Sequence, residues 1–203
     1  MARDAHELTQ ILRATIGDER VLRAIAAVPR DAFVPPELLD CAWDDEALPI
    51  AAGQTISQPT VVGRMCELLE LTGEEIVLDV GTGSGYHAAV LSRLAAHVYS
   101  IERHAELTEG ARWALERAGI ANVTLLVGDG TRGHPAAAPY DAINVAARST
   151  EPPAALVEQL APGGRMVIPL GGEGQHLMRL RRRGDAIERE RFERVRFVPL
   201  VSE

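Results

Sequence analysis

The spacing of apolar residues divides the chain into two parts. Up to Ala27, apolar side chains three and four positions apart predict two short helices, and Gly17 marks the break between them. Residues 28–36 form a proline-punctuated connector, and the polar stretch that runs on to Gln58 shows no regular period. Because long ordered loops in compact domains are usually functional, we expect this stretch to carry part of a site.

From Pro59 onward the pattern alternates between helix and strand. The predicted elements are a helix that begins at Pro59 and is closed by Gly73, strands Ile76–Val80, Val98–Ile101, Asn122–Val127 and Tyr140–Val145, and helices Ala88–Ala95, Leu107–Ala118 and Pro153–Leu160. This order predicts a parallel sheet with helices on both faces. Three strand-like segments follow without clear crossover helices, at Arg165–Leu170, His176–Arg182 and Val195–Val201. We expect them to add antiparallel strands at one edge.

The first predicted strand runs into three alternating glycines, Gly81, Gly83 and Gly85. Glycine there allows a ligand to approach the backbone closely and permits positive φ. A dinucleotide fingerprint would place its third glycine at position 86, where this chain has Tyr86. Glu102 ends the next strand, where a carboxylate can accept hydrogen bonds from ribose hydroxyls. The loop and the acid fit a site for S-adenosylmethionine or for NAD, and a glycine turn without a ligand is a third interpretation.

Composition narrows the class of protein. The 203 residues and 46% hydrophobic content suit one domain with a buried core. A net charge of −8, with both signs interspersed, argues against a nucleic-acid partner. Neither the cysteines, Cys41 and Cys66, nor the histidines have the spacing of a metal site. No signal-peptide core and no run of ~20 apolar residues is present, so we expect a cytoplasmic protein without membrane, nucleic-acid or metal partners.

Four segments together give the chain a family resemblance. They are Gly53–Pro59, which reads Gly-Gln-Thr-Ile-Ser-Gln-Pro, the strand and glycine loop at Val77–Tyr86, the strand at Val98–Arg103, and the closing Arg196–Leu200. Over nearly its whole length the chain resembles the protein-L-isoaspartate O-methyltransferases. That resemblance implies an α/β, Rossmann-like class I S-adenosylmethionine-dependent methyltransferase fold. Its sheet would be mostly parallel and seven-stranded, with an antiparallel C-terminal edge and N-terminal helices.

The resemblance also implies two functional parts within one compact unit. Residues 1–58 would form a helical cap with the active-site loop, and residues 59–203 the S-adenosylmethionine-binding domain. The reaction it implies is transfer of the methyl group of S-adenosylmethionine to the carboxylate of L-isoaspartyl residues in damaged proteins, which leaves S-adenosylhomocysteine. A carboxylate with a reference pKa of about 4 is already deprotonated at neutral pH, so this acceptor needs no general base.

Site residues are carried over position by position. The resemblance implies a catalytic Ser57 and cofactor contacts at Asp79, Gly81, Thr82, Gly83, Ser84, Glu102, Arg103, Asp129 and Gly130. We expect Ser57 to donate a hydrogen bond that orients the carboxylate, because a nucleophilic serine would need a neighbouring base. Two of these residues have a second interpretation: Ser57 could cap the helix that begins at Pro59, and Asp129 is a favourable turn residue between glycines.

The acceptor side departs from the family pattern. The expected substrate contacts are Gln54 and Ile56 in the irregular loop and Ala146 and Arg148 after the fourth strand. The family usually has Val-Thr-Ala-Ala after that strand, whereas this chain has Val-Ala-Ala-Arg. This difference leaves the identity of the methyl acceptor open. Two alternatives follow, a carboxyl methyltransferase dedicated to an aspartate of one peptide and a non-catalytic S-adenosylmethionine-binding module. We expect a monomer.

Overall fold

Residues 2–202 are described by the computed structural model. Two helices come first, α1 (Ala5–Leu12) and α2 (Glu19–Ala27). Asp4 and Asp18 cap them, each by accepting a hydrogen bond from a backbone N–H of the first turn. The two helices predicted on either side of Gly17 are therefore confirmed.

The stretch before Pro59 contains short elements that the sequence did not predict. Two short 3₁₀ helices, Arg30–Phe33 and Pro36–Cys41, precede a small antiparallel hairpin of β1 (Leu48–Pro49) and β2 (Thr55–Ile56), and a 3₁₀ turn lies between its strands. With only two residues in each strand, no period can be seen in the sequence. Helix α3 (Pro59–Leu69) follows, and it ends at Glu70, whose φ of 48° is left-handed, before the expected Gly73.

Seven further strands form one mixed sheet. They are β3 (Ile76–Val80), β4 (His97–Glu102), β5 (Val123–Val127), β6 (Tyr140–Val145), β7 (Leu160–Leu170), β8 (Gln175–Arg183) and β9 (Ala186–Val195). The strand order is β5-β4-β3-β6-β7-β8-β9; β3 to β7 pair in parallel, and β8 and β9 pair antiparallel. The mostly parallel, seven-stranded sheet with an antiparallel C-terminal edge is confirmed.

Three helices accompany the sheet, α4 (Tyr86–Ser92), α5 (Ala105–Arg117) and α6 (Ala154–Glu158). Apolar residues of α1 to α5 join Val77 and Val98 in one buried cluster, whereas Leu156 of α6 joins Leu78 and Ile143 in the other. Successive strand residues point to opposite faces, so the two clusters lie on opposite sides of the sheet. Helix α4 begins two residues earlier than predicted, because the glycine loop leads directly into it.

The prediction for the last strand is wrong. It placed the strand at Val195–Val201, whereas β9 spans Ala186–Val195. The residues of β9 are mostly charged, and the register sets Glu188 and Glu190 opposite arginines of β8. Cross-strand charge pairs and backbone hydrogen bonds therefore hold this edge strand, which lacks the apolar alternation used to find strands.

The residues after β9 run along the end of the sheet. The Arg148 N–H donates to the Val198 carbonyl, and the Leu200 N–H donates to the Arg148 carbonyl, both at 2.8 Å. The C-terminal segment is thereby fixed beside the loop that follows β6. Among residues 2–202, no helix combines the length and apolar character needed to cross a membrane.

Candidate active site

A pocket of about 630 Å³ opens where the strand order reverses. The chain proceeds from β3 to β4 on one side and returns to β6 on the other side of β3, so the loops after β3 and β6 diverge. In open α/β sheets such a switch point forms a crevice outside the carboxyl ends of the strands, where ligands bind. The C-terminal segment at 194–201 lines the same pocket.

Most of the predicted site residues meet in this pocket. Its lining includes Gln54, Ile56, Ser57, Gly81, Thr82, Gly83, Ser84, Glu102, Arg103, Gly130 and Ala146. Three others, Asp79, Asp129 and Arg148, lie outside the lining. The pocket thus brings the irregular loop before α3, which carries Ser57, together with the glycine loop after β3.

Positive φ angles occur at all three loop glycines, with 95° at Gly81, 53° at Gly83 and 88° at Gly85. The Gly81 N–H donates to the Ile101 carbonyl at 2.9 Å, which anchors the start of the loop to β4. A Cβ at Gly85 would lie 3.0 Å from the Cβ of Ala111 in α5. Glycine is therefore required at Gly85 both for its backbone conformation and for the close packing of the loop.

Glu102 faces the glycine loop from the end of β4. Its Oε2 accepts from the Gly83 N–H at 3.0 Å and its Oε1 from the His104 N–H at 3.1 Å. Glu102 is only 7% exposed, and the two hydrogen bonds fix its carboxylate at the pocket wall. This is the position from which an acid can bind ribose hydroxyls.

A buried polar layer, made of Asp79, Ser100 and Asn144, lies beneath the loop. The sheet register places the three residues side by side on β3, β4 and β6. Asp79 accepts from Ser100 Oγ and Asn144 Nδ2, both at 2.7 Å, and Ser100 Oγ lies 2.6 Å from Thr82 Oγ1 in the glycine loop. Burial raises the pKa of Asp79 to about 6, against the two hydrogen bonds, which favour the charged form.

His87 and Cys66 extend this layer. Asn144 Nδ2 lies 3.2 Å from His87 Nδ1, and His87 Nε2 lies 3.6 Å from Cys66 Sγ. Burial lowers the pKa of His87 to about 3 and raises that of the Cys66 thiol, so both are neutral near pH 7. Cysteine and histidine are the residue types of a known catalytic pair. Cys66 and His87 do not act as one, because the neutral Cys66 thiol provides no thiolate nucleophile.

Sequence reasoning missed Ser100 and Asn144. Both residues are fully buried and lie between apolar or aromatic neighbours in the chain, although each strand also contains other polar residues, such as His97 and Asp141. Since buried polar groups need hydrogen-bond partners, a polar residue between such neighbours was the signal available.

The Ser57 backbone is held by its neighbours. Its carbonyl accepts from Arg30 at 3.0 Å, and Ser57 lies directly before Gln58, the N-cap residue of α3. The side chain that caps the helix is Asp45, which accepts from the Thr60 N–H at 2.8 Å. The interpretation of Ser57 as a helix cap is therefore wrong.

The remaining predicted residues lie at the pocket's margins. Asp129 accepts from the Thr131 N–H at 2.9 Å and shapes a tight turn. At Gly130 a Cβ would lie 2.6 Å from Val80 Cγ1, so only glycine fits there. Ala146 donates its N–H to the Val80 carbonyl at 2.8 Å. Within the described chain, no group of three or more His, Cys, Asp or Glu residues could hold a metal ion.

The switch-point pocket, with its glycine loop and the acid at the end of β4, lies on a sheet whose last two strands are antiparallel. This combination defines a class I S-adenosylmethionine-dependent methyltransferase fold. A sequence model described as protein-L-isoaspartate(D-aspartate) O-methyltransferase matches residues 3–203. The chain belongs to the protein-L-isoaspartate(D-aspartate) O-methyltransferase family.

Curated relatives match almost all of the chain. A protein-L-isoaspartate O-methyltransferase of Roseiflexus sp. (strain RS-1) is 52% identical over 193 residues, covering 95% of this chain and 88% of that protein. One from Vibrio cholerae serotype O1 is 50% identical over 187 residues, covering 92% of this chain and 90% of that protein.

Solved structures share the fold. A protein-L-isoaspartate O-methyltransferase aligns with a TM-score of 0.87 at 29% identity, covering 96% of this chain and 65% of that one, so this chain spans just under two thirds of its length. A Plasmodium falciparum protein solved in complex with S-adenosyl-L-homocysteine aligns with a TM-score of 0.86 at 24% identity over the full length of both chains.

Proposed function

We propose that this protein methylates the carboxylate of L-isoaspartyl residues in damaged proteins, using S-adenosylmethionine as the methyl donor. The observation that carries the proposal is the meeting of two loops in one pocket: the Gln54–Gln58 loop with Ser57 lies opposite the glycine loop and Glu102. The family and the activity of its curated relatives support the same reaction.

The pocket residues fit S-adenosylmethionine. Gly81 and Gly83 let the backbone approach the amino-acid end of a ligand, Glu102 presents a fixed carboxylate for ribose hydroxyls, and Ile101 and Leu200 offer apolar surface for a base. We assign further cofactor contacts to Thr82, Ser84, Arg103, Asp129 and Gly130, with Asp79 acting from beneath through Ser100 and Thr82. When bound, S-adenosylmethionine supplies a methyl group carried on a sulfonium cation.

The residues of this chain act by positioning the acceptor carboxylate against the methyl group. An acceptor carboxylate is ionised at neutral pH, and holding it about 3 Å from the methyl group supplies much of the acceleration without a general base. Ser57 lines the pocket, so its hydroxyl can donate a hydrogen bond to the acceptor. Neutral His87 takes no part as a base, since its pKa of about 3 leaves it a very weak one.

We place the peptide along Gln54, Ile56 and Ala146, with sequence-independent backbone hydrogen bonds. The Arg148 backbone is used by Val198 and Leu200, so only its side chain is available to a second substrate carboxylate. We also propose that residues 1–58 provide the acceptor loop and residues 59–203 the donor site of one unit. That unit acts as a cytoplasmic monomer on proteins, without nucleic acid or membrane.

Transfer of labelled methyl groups tests this function. The protein is incubated with methyl-labelled S-adenosylmethionine and an L-isoaspartyl peptide, with the same sequence carrying L-aspartate as the matched control. Base-labile label on the isoaspartyl peptide alone supports the proposal. Label on the aspartyl peptide alone would identify an enzyme dedicated to ordinary aspartate. No label on either, with S-adenosylhomocysteine still bound, would indicate a binding module.

A further inference from the structure

Arg30 is a fully buried arginine outside the pocket lining. It lies in the connector between α2 and the active-site loop, which the sequence marks only by its prolines, and its side chain is 0% exposed. Burial lowers the pKa of its guanidinium, and the nearby Tyr86 and Asp45 side chains act in the opposite direction. A charge buried this completely is costly unless its hydrogen bonds are satisfied.

The guanidinium donates to three backbone carbonyls. Nε donates to the Ala42 carbonyl at 2.8 Å, and the two terminal nitrogens donate to the carbonyls of Glu46 and Ser57, both at 3.0 Å. Ala42 and Glu46 lie before the β1–β2 hairpin, and Ser57 lies directly after it. The Arg30 guanidinium thus connects the two sides of the hairpin at Ser57, the serine proposed to orient the acceptor.

Two further contacts extend this connection. Asp45 also lies before the hairpin, and it accepts from two residues after it, from Gln58 Nε2 at 3.1 Å and from the Thr60 N–H at 2.8 Å. The Arg30 guanidinium also lies over the Tyr86 ring, 4.8 Å from its centroid. Tyr86 is the first residue of α4 and directly follows the glycine loop. Arg30 therefore contacts the loop that carries Ser57 and the first residue after the glycine loop.

We infer that Arg30 is a positioning residue for methyl transfer, holding the Ser57 backbone at a fixed distance from the glycine loop. This inference rests on the proposed function. A displacement of about 1 Å at a reacting group can lower a rate about 100-fold. Lysine can take over this role only in part, because its single ammonium lacks the planar fork that reaches three carbonyls.

A double-mutant cycle separates positioning from mere structural support. The variants are Arg30→Met, Ser57→Ala and the double variant, assayed for kcat and KM with the L-isoaspartyl peptide. If Arg30 acts through Ser57, its replacement should cost much less once the hydroxyl is gone. A purely structural role would lower kcat by the same factor in both backgrounds.

We expect Arg30→Met to lower kcat about 10- to 100-fold with Ser57 present and less than about threefold with Ser57→Ala, while the KM for S-adenosylmethionine changes less than about twofold. Equal losses in the two backgrounds would overturn the inference. If the methionine variant does not fold, Arg30→Lys keeps the charge and serves the same cycle. It should then show a smaller loss with the same dependence on Ser57.

Arg165 provides a matched control. It too is a largely buried arginine that donates to backbone carbonyls, those of Leu69 and Glu70 at the end of α3, at 2.6 and 3.0 Å. Arg165→Met should lower the unfolding midpoint yet leave kcat within about twofold of wild type. A loss of kcat as large as that of Arg30→Met would show that any lost support slows the enzyme, and would contradict the inference.

Amide hydrogen exchange gives a readout that does not depend on activity. Arg30→Met should speed exchange in residues 42–62 and leave α5 unchanged, whereas Arg165→Met should leave residues 42–62 as in wild type. Unaltered exchange there in Arg30→Met would refute the claim that Arg30 holds this loop. A wild-type protein that methylates no isoaspartyl peptide would instead overturn the proposed function, while the exchange result still decides what Arg30 holds.

Discussion

Replacing Asp79 with asparagine removes the ionisable group from the buried polar layer. The pKa of Asp79 is raised from its ordinary 3.8 to about 6, so the folded protein binds this proton more tightly than the unfolded chain. This tighter proton binding therefore stabilises the folded protein below about pH 4. The stabilisation is lost as the pH rises through about 6. This gap in pKa corresponds to about 3 kcal/mol of unfolding free energy.

The asparagine variant should lack this dependence. Its amide can accept from Asn144, and the Ser100 hydroxyl can turn to accept from the new amide. Urea unfolding at several pH values gives the free energy for both proteins. The variant should gain about 2.5 kcal/mol relative to wild type between about pH 4 and pH 7. Parallel pH profiles for the two proteins would show that the pKa of Asp79 is not raised in the folded protein.

Ser100→Ala provides a companion test of the same layer. The Ser100 hydroxyl donates to Asp79 at 2.7 Å and favours the charged carboxylate. Its removal should raise the pKa of Asp79 further, so this variant should lose more stability at pH 7 than at pH 4. In the Asp79→Asn background that extra pH dependence should disappear.

Four further predictions concern the pocket and its loops. Ser57→Ala should lower kcat about 10- to 100-fold and leave the Kd of S-adenosylhomocysteine within about twofold, as kinetics and titration calorimetry can show; unchanged turnover would remove its proposed role. Glu102→Gln should weaken S-adenosylhomocysteine binding about tenfold, and an unaltered Kd would contradict the ribose assignment. Gly85→Ala should cost at least ~2 kcal/mol in urea unfolding, against ~1 kcal/mol for Gly119→Ala, whose φ is also positive but whose Cβ would meet open space. Arg148→Ala should raise the KM for peptide but not for S-adenosylmethionine, and an unchanged peptide KM would exclude a substrate contact.

The parallel half of the fold could be predicted because its signals are local. The apolar run of β3, the glycines after it and the acid at the end of β4 lie close together in sequence, and the alternation of strands with helices predicts parallel pairing. The same local signals predict that Gly81 to Glu102 hold the methyl donor.

Two parts could not be predicted, the first because it lacks an apolar pattern and the second because its partners lie far away in sequence. Strand β9 is charged along its length, and its pairing depends on arginines of β8 such as Arg179, which donates to Glu190 at 2.8 Å. Arg30 has no partner within ten residues, since its carbonyl acceptors lie 12, 16 and 27 positions ahead. Only the folded chain shows that this connector residue contacts the loop that carries Ser57.

Methylation of an isoaspartyl carboxylate in this pocket is the first step of the proposed repair. Mass spectrometry of one isoaspartyl peptide, followed over time with the protein and S-adenosylmethionine, measures this step itself. We expect the peptide first to gain the mass of one methylene group and then to lose methanol as it forms the succinimide, while its aspartyl twin stays unchanged. An isoaspartyl peptide that keeps its mass, or an aspartyl twin that is methylated equally fast, would show that the protein does not have this function.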